Sequence, residues 1–207
     1  MPSTSRRSLL ASGAAALTTL SGCASRGVET DPPERTHEAV QHPPAVTVRG
    51  RGNEPVASID PATTDRPDAD PRHRGLVASE ADADRLSITV EDGATRARSF
   101  LAETDFDSET VVLDGQEVRQ CFDHDICWVT WTASTYRTFY VRRYRPWDVA
   151  CERGERDYLA HLIRIPAALD PAAMHSDGRG WSTGDCRWPP WLDAPADETT
   201  STTGGRE

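Results

Sequence analysis

Leu86, Ile88 and Val90 alternate with Ser87, Thr89 and Glu91. That is the two-residue period of a half-buried strand. Residues 110–113 are β-branched and apolar, and Asp114-Gly115 after them offers either a hairpin turn or a strand that runs through. From Val118 the pattern is β again. Phe122, Ile126 and Trp128 share one parity; Cys121, Cys127, Val129 and Trp131 share the other. Trp128 and Trp131 then lie on opposite faces, so at least one belongs in the core. Residues 138–144 and 158–165 supply two further strands, and 76–78 a short one. Helical signals are few. Ser79 with Asp82 three residues on predicts a capped, brief helical turn. Asp92 is placed to cap a helix over 94–102, with Ala97, Phe100 and Leu101 inward. No repeat of 20–50 residues is present. Several short strands and one helix predict a mainly β fold, a small antiparallel sandwich-like domain, because parallel crossovers need more helix.

The strand pattern bounds that domain at about 75–193. Residues 23–74 read as a flexible tether. The stretch from 24 carries eight of the chain's fifteen prolines, many charges and few large apolar groups. Such composition buries too little apolar surface to offset ordering entropy. As random coil it would span about 40 Å. One apolar piece inside it, Ala45-Val46-Thr47-Val48, could form a stray strand. The polar tail, 194–207, reads as loose.

Charge narrows the possible partners. All 23 basic residues are arginine, against 33 acids, for a net charge of −10. Dense carboxylates keep a surface hydrated and self-repelling. The balance argues against nucleic acid. The densest basic run, Arg142-Arg143-Tyr144-Arg145, lies in a strand-like segment and reads as a solvated strand edge.

The N-terminus carries an address. Arg6 and Arg7 precede an apolar run from Leu9 to Leu20. That run is shorter than the roughly 20 residues a spanning helix needs and suits a signal h-region. Leu20-Ser21-Gly22-Cys23 resembles the lipobox of bacterial and archaeal lipoproteins, and Ser5 to Leu10 resembles a twin-arginine export signal. The resemblance implies cleavage after residue 22 and a lipid on the Cys23 thiol. Losing Arg6 and Arg7 with the signal leaves 21 arginines against 33 acids, a net of −12. Together with an acidic, lysine-free composition, these motifs resemble twin-arginine-exported lipoproteins of salt-loving archaea. FLAETDFDSETVVL, the later cysteines and LIRIPAALDP resemble a haloarchaeal family of secreted small β domains, a likeness that brings no activity. Within it TDFDSETVVL resembles the β domain of a protease-assisting subunit, over too few residues to carry function across. The implied location is the outer face of the cytoplasmic membrane, held through lipid.

Four cysteines remain: Cys121, Cys127, Cys151 and Cys186. An even number outside the membrane predicts two disulfides. If 121–127 runs straight, Cys121 and Cys127 stand about 20 Å apart, too far to bond. If Asp123-His124-Asp125 is a hairpin tip, they face each other. The straight strand is preferred, which leaves each to join Cys151 or Cys186. Of those two pairings, Cys121–Cys151 with Cys127–Cys186 is the one adopted. The alternative chemistry in CFDHDIC is a metal or redox site using Cys121, His124 and Cys127, since a soft metal accepts such ligands. The usual Cys-x2–4-Cys spacing is missing.

Other candidates weaken on inspection. Gly180-Trp181-Ser182-Thr183-Gly184 matches the G-x-S-x-G elbow, but DCRWPPW follows where a helix should start, and no histidine lies beyond His175. His161 sits among Leu159, Leu162 and Ile163 and reads as a core or edge residue. His37, His42 and His73 belong to the tether. Asp105 and Asp107 lack the EF-hand pattern and read as turn residues. Trp181, Trp188 and Trp191 could form a platform, but packing against the sheet is the preferred reading. The sequence predicts no catalytic residue and no cofactor. It predicts a non-catalytic, lipid-anchored surface module with a protein or glycan partner of unknown identity.

Overall fold

Four ten-residue strands carry the architecture: β6 (Thr110–Arg119), β7 (Phe122–Trp131), β8 (Thr135–Tyr144) and β9 (Arg156–Ile165). The computed structural model describes residues 37–61, 71–182 and 184–189. The expected signal peptide over 1–22, Cys23 and the tail from 194 lie outside these residues. Before β6 come β1 (Glu38–Gln41), β2 (Ala45–Arg51), β3 (Ala57–Ile59), β4 (Arg74–Val77), α1 (Glu80–Asp84), β5 (Leu86–Ile88) and α2 (Glu91–Ala102). After β9 come a 3-10 turn at Pro171–Ala173 and β10 (Ser176–Ser182). The fold is mainly β.

Two four-stranded sheets face each other, ordered β1-β7-β8-β10 and β2-β9-β6-β4. Val112, Ile163 and Ile165 from one meet Val129, Trp131 and Tyr136 from the other. The far side of the β6–β9 sheet is covered by α2 and the β3–β5 ribbon, through Val48, Ile59, Phe100, Leu113 and Leu162. All pairings in the two large sheets are antiparallel except β8 with β10, which run parallel. This parallel pair forms without a crossover helix: the chain leaves β8, traverses β9 in the opposite sheet and returns to β10.

The tether expected over 23–74 is corrected in its described part. Residues 37–61 and 71–74 belong to the domain. Val48, Val56, Ala57 and Ile59 are buried, and β2 pairs with β9 along seven residues. Composition misleads here because β1 and β2 are edge strands. An edge strand tolerates charge and neighbouring proline. Pro44 even serves the sheet, its carbonyl accepting from the Arg164 amide at 2.9 Å.

The capped turn expected at Ser79 forms as the short helix α1, so the domain holds two helices. Ser79 caps α1 through the Asp82 amide. The start of α2 is Glu91, with Val90 as its uncapped entry residue. Asp92 sits in the first turn, where its charge favours the helix dipole. The Asp114-Gly115 pair is no turn. Both residues lie mid-strand in β6, opposite His161 and Ala160. A Cβ on Gly115 would come within 2.7 Å of the His73 carbonyl and of the Tyr158 hydroxyl. Glycine is there for close backbone approach.

The strand at 122–131 runs straight past His124 but its parity is broken. Ile126 pairs with Tyr140 and Trp128 with Phe139, so Cys127 is the extra residue of a bulge. The bulge puts Ile126, Val129 and Trp131 on the inter-sheet face and Trp128 outside. Both tryptophans are buried, because Trp128 stacks on Phe139 with ring centres 4.7 Å apart and Trp188 covers it edge-on. Among the described residues no helix is long and apolar enough to cross a membrane.

Candidate functional site

The sulfurs decide the first candidate. Cys121 is bonded to Cys151 and Cys127 to Cys186. The set Cys121, His124 and Cys127 therefore offers no thiolate, and its members point to different places on the fold. Among the described residues no three His, Cys, Asp or Glu side chains converge as ligands. His124 instead stands edge-on to Trp181, ring centres 4.6 Å apart. Burial, then the charges of Arg142 and Arg49, push its imidazole down to about 4.

His124 borders a polar network that fills one half of the inter-sheet layer. Asp114, 1% exposed, accepts from the Tyr140 hydroxyl at 2.6 Å, from Arg74 Nε at 2.9 Å and from Arg179 Nε at 2.8 Å. Burial alone would raise this carboxyl; the Arg179 hydrogen bonds and charge outweigh it and hold it below the usual range. Arg179 also donates to the Gly115 carbonyl at 2.6 Å. Burial and the Asp114 charge push the Tyr140 phenol well up. Trp181 stacks on Tyr140 at 5.3 Å. His161 is fully buried beside them, its Nδ1 2.9 Å from Thr47 Oγ1 and its Nε2 without a protein partner. Burial drives its imidazole down to about 3 against the pull of Asp114. Each charge in this cluster is answered by another, so it braces the sheets.

A second arrangement lies at the end of the sandwich where the β6–β7 turn meets the loop from β8 to β9. The Cys121–Cys151 bond pins that loop, and the amides of Arg145 and Gln120 reinforce it by donating to the carbonyls of Cys121 and Glu155, each at 3.0 Å. Between them lies a groove of about 510 Å³. Its lining includes Arg119, Arg145, Arg153, Phe122, Tyr144 and Trp147, and no acidic residue. Trp147 is 97% exposed and Tyr144 77%. Phe122 and Tyr144 are cross-strand partners with rings 4.5 Å apart. The Arg142 guanidinium lies over the Phe122 ring, 4.9 Å from its centre. Rigid rings and guanidinium forks on a cross-linked loop can hold a flat or anionic group; they offer no nucleophile beside a base.

The remaining sequence candidates are dispersed. Ser182 ends β10, its backbone laddered opposite Val141, and among the described residues after it no helix begins. Asp105 closes a turn through the amide of Asp107 and the hydroxyl of Ser108. The expected burial of the late tryptophans holds for neither described one in full. Trp181 is 51% exposed, Trp188 is half-buried, and Trp191 lies outside the described residues. His42 and His73, assigned to the tether, belong to the fold; His73 Nδ1 lies 3.2 Å from the Ala57 carbonyl. The run from Arg142 lies at a solvated strand edge, as expected: β10 pairs only with Thr135–Val141, and beyond it Arg142, Arg143 and Tyr144 are exposed and pair with β7 alone. Sequence reasoning missed the groove and the Asp114 network. The available signals were a carboxylate inside the apolar run VVLDG and the RYRPW cluster.

No protein-family model matches the chain, and no curated protein or solved structure does.

Proposed function

We propose that this chain is a lipid-anchored cell-surface binding module that performs no chemistry and binds through the groove beside the Cys121–Cys151 bond. The observation that carries the reading is the groove itself, with exposed Trp147 and Tyr144 among arginines on a cross-linked loop. Large aromatics and arginine are the residues that dominate binding surfaces. Two disulfides fit an oxidising exterior. The lipobox-like Leu20-Ser21-Gly22-Cys23 supplies the anchor.

The test is intact-mass analysis of the native protein recovered from membranes. The expected mass is that of the chain from Cys23 with lipid attached and both remaining cysteine pairs oxidised. An uncut, unlipidated chain recovered from cytosol would overturn the reading.

A further inference from the structure

We propose that the groove takes an anionic saccharide, its carboxylates on Arg119 and Arg153 and a sugar ring on Trp147. This rests on the binding-module reading above and names the ligand class of the same groove. Acids outnumber arginines 33 to 23 in this chain, and Arg74, Arg143, Arg156 and Arg179 each hold a carboxylate. Arg119 and Arg153 line one groove, and among the described residues neither has a carboxylate within ion-pair reach. Exposed and unpaired, both are open to an external carboxylate. Guanidinium groups match carboxylates bidentately. These bonds act at contact distance, so they persist where salt at about 1 M shortens the Debye length to roughly 3 Å.

The aromatics select within the anions. Trp147 and Tyr144 are two of the three large hydrophobics left exposed among the described residues. An indole face packs against the C–H face of a sugar ring while the ring's acid reaches a neighbouring arginine. A nucleic-acid strand would present one phosphate per nucleotide along its whole length. The exposed acids Asp148, Glu152 and Glu155 on the same loop disfavour long polyanions of either kind, so the groove takes a short chain. An acidic peptide binds best by adding to a free strand edge or lying in a helix groove; at this end β7 and β8 run past β1 and β10 with their outer edges open, so strand addition is the competing mode that the oligoglutamate tests.

The experiment titrates the purified, disulfide-intact protein with a galacturonate tetramer, followed by tryptophan fluorescence in about 1 M salt. Controls are its methyl ester, which keeps the rings and removes the charge, an oligothymidylate and an oligoglutamate. Saturable binding of the tetramer is expected, weakened at least tenfold for the ester. Arg119→Ala and Arg153→Ala should each weaken it about tenfold or more, the loss of charge-assisted bonds worth about 1.5–3 kcal/mol. Trp147→Ala, read by calorimetry, should weaken it comparably. Arg51→Ala, on exposed β2, should bind as the parent. Equal binding of acid and ester, or no binding of either, overturns the proposal. So does tighter binding of the oligothymidylate or the oligoglutamate, which would name the class instead. A negative titration with lipid present on Cys23 removes the ligand class alone. An unlipidated cytosolic chain removes the surface reading whatever the titration gives.

Discussion

Asp114 concentrates the electrostatics of the fold in one residue. It meets two guanidiniums and a phenol while 1% exposed. Asp114→Asn leaves Arg74 and Arg179 beside a neutral amide, and breaking such a pair costs about 3 kcal/mol or more. Tyr140→Phe removes one hydrogen bond to a charged acceptor, about 2 kcal/mol. Chemical denaturation should show the first variant as the weaker; the reverse order would mean that Tyr140, not the arginines, sets the carboxylate's worth. His161 acts on the pH axis. Its folded imidazole is driven down to about 3, chiefly by burial, whereas an unfolded histidine titrates near 6.5. Below pH 6.5 the unfolded chain takes up a proton that the fold refuses. Stability is therefore full above that value and falls as pH drops toward 3, by up to about 1.4 kcal/mol per pH unit. His124, held down to about 4, adds a like slope between pH 6.5 and 4, so in thermal melts from pH 7 to 4 His161→Leu should remove about half of the total. A variant with the parent's slope would contradict the assignment.

At the scale of elements, β6 to β9 were legible because ten-residue strands with one or both faces buried declare themselves by alternation. So was α1, through Ser79. Where the sequence misled or left a choice open, the physical cause is shared. Asp114-Gly115 has turn chemistry locally, yet its glycine answers to His73 and Tyr158, which are distant in sequence. The bulge at Cys127 shifts parity in a way that no pattern of Phe122, Ile126 and Trp128 announces. β1 and β3 are short, and what makes them strands is the edge they pair with on β7 and β5; of β2 only residues 45–48 were legible, and β9 sets the rest. The candidate groove was illegible for the same reason: the 119–122 turn and the 144–153 loop have no shared motif, and a covalent bond brings them together. Gly115→Ala should destabilise by about 1–3 kcal/mol, an overpacking cost, read from the denaturation midpoint. Opening the Cys121–Cys151 link by the double serine variant should cost about 2–4 kcal/mol. It should also expose the 145–155 loop to limited proteolysis, while Cys127–Cys186 stays closed. Cleavage unchanged from the parent would show that the hydrogen bonds of Arg145 and Gln120 suffice to hold the loop.

For the whole molecule, charge and architecture set the solution behaviour. On the proposed cleavage before Cys23 the chain carries 21 arginines and 33 acids. Self-repulsion on that surface opposes the compact state, and added salt screens it. The melting temperature should climb as potassium chloride is raised from about 0.01 M to 1 M, a range over which the Debye length shrinks from roughly 30 Å to 3 Å. A melting temperature that falls with salt would mean that the ion pairs outweigh the repulsion. The sandwich keeps β1 and β10 as the outer strands of one sheet and β2 and β4 as those of the other.

The early start of the folded part has a consequence for reach. Only fourteen residues separate Cys23 from Glu38, where β1 begins. Even drawn out straight, a stretch of that length covers about 50 Å. On the proposed anchoring the module works close against the bilayer, and whatever it captures must come down to it.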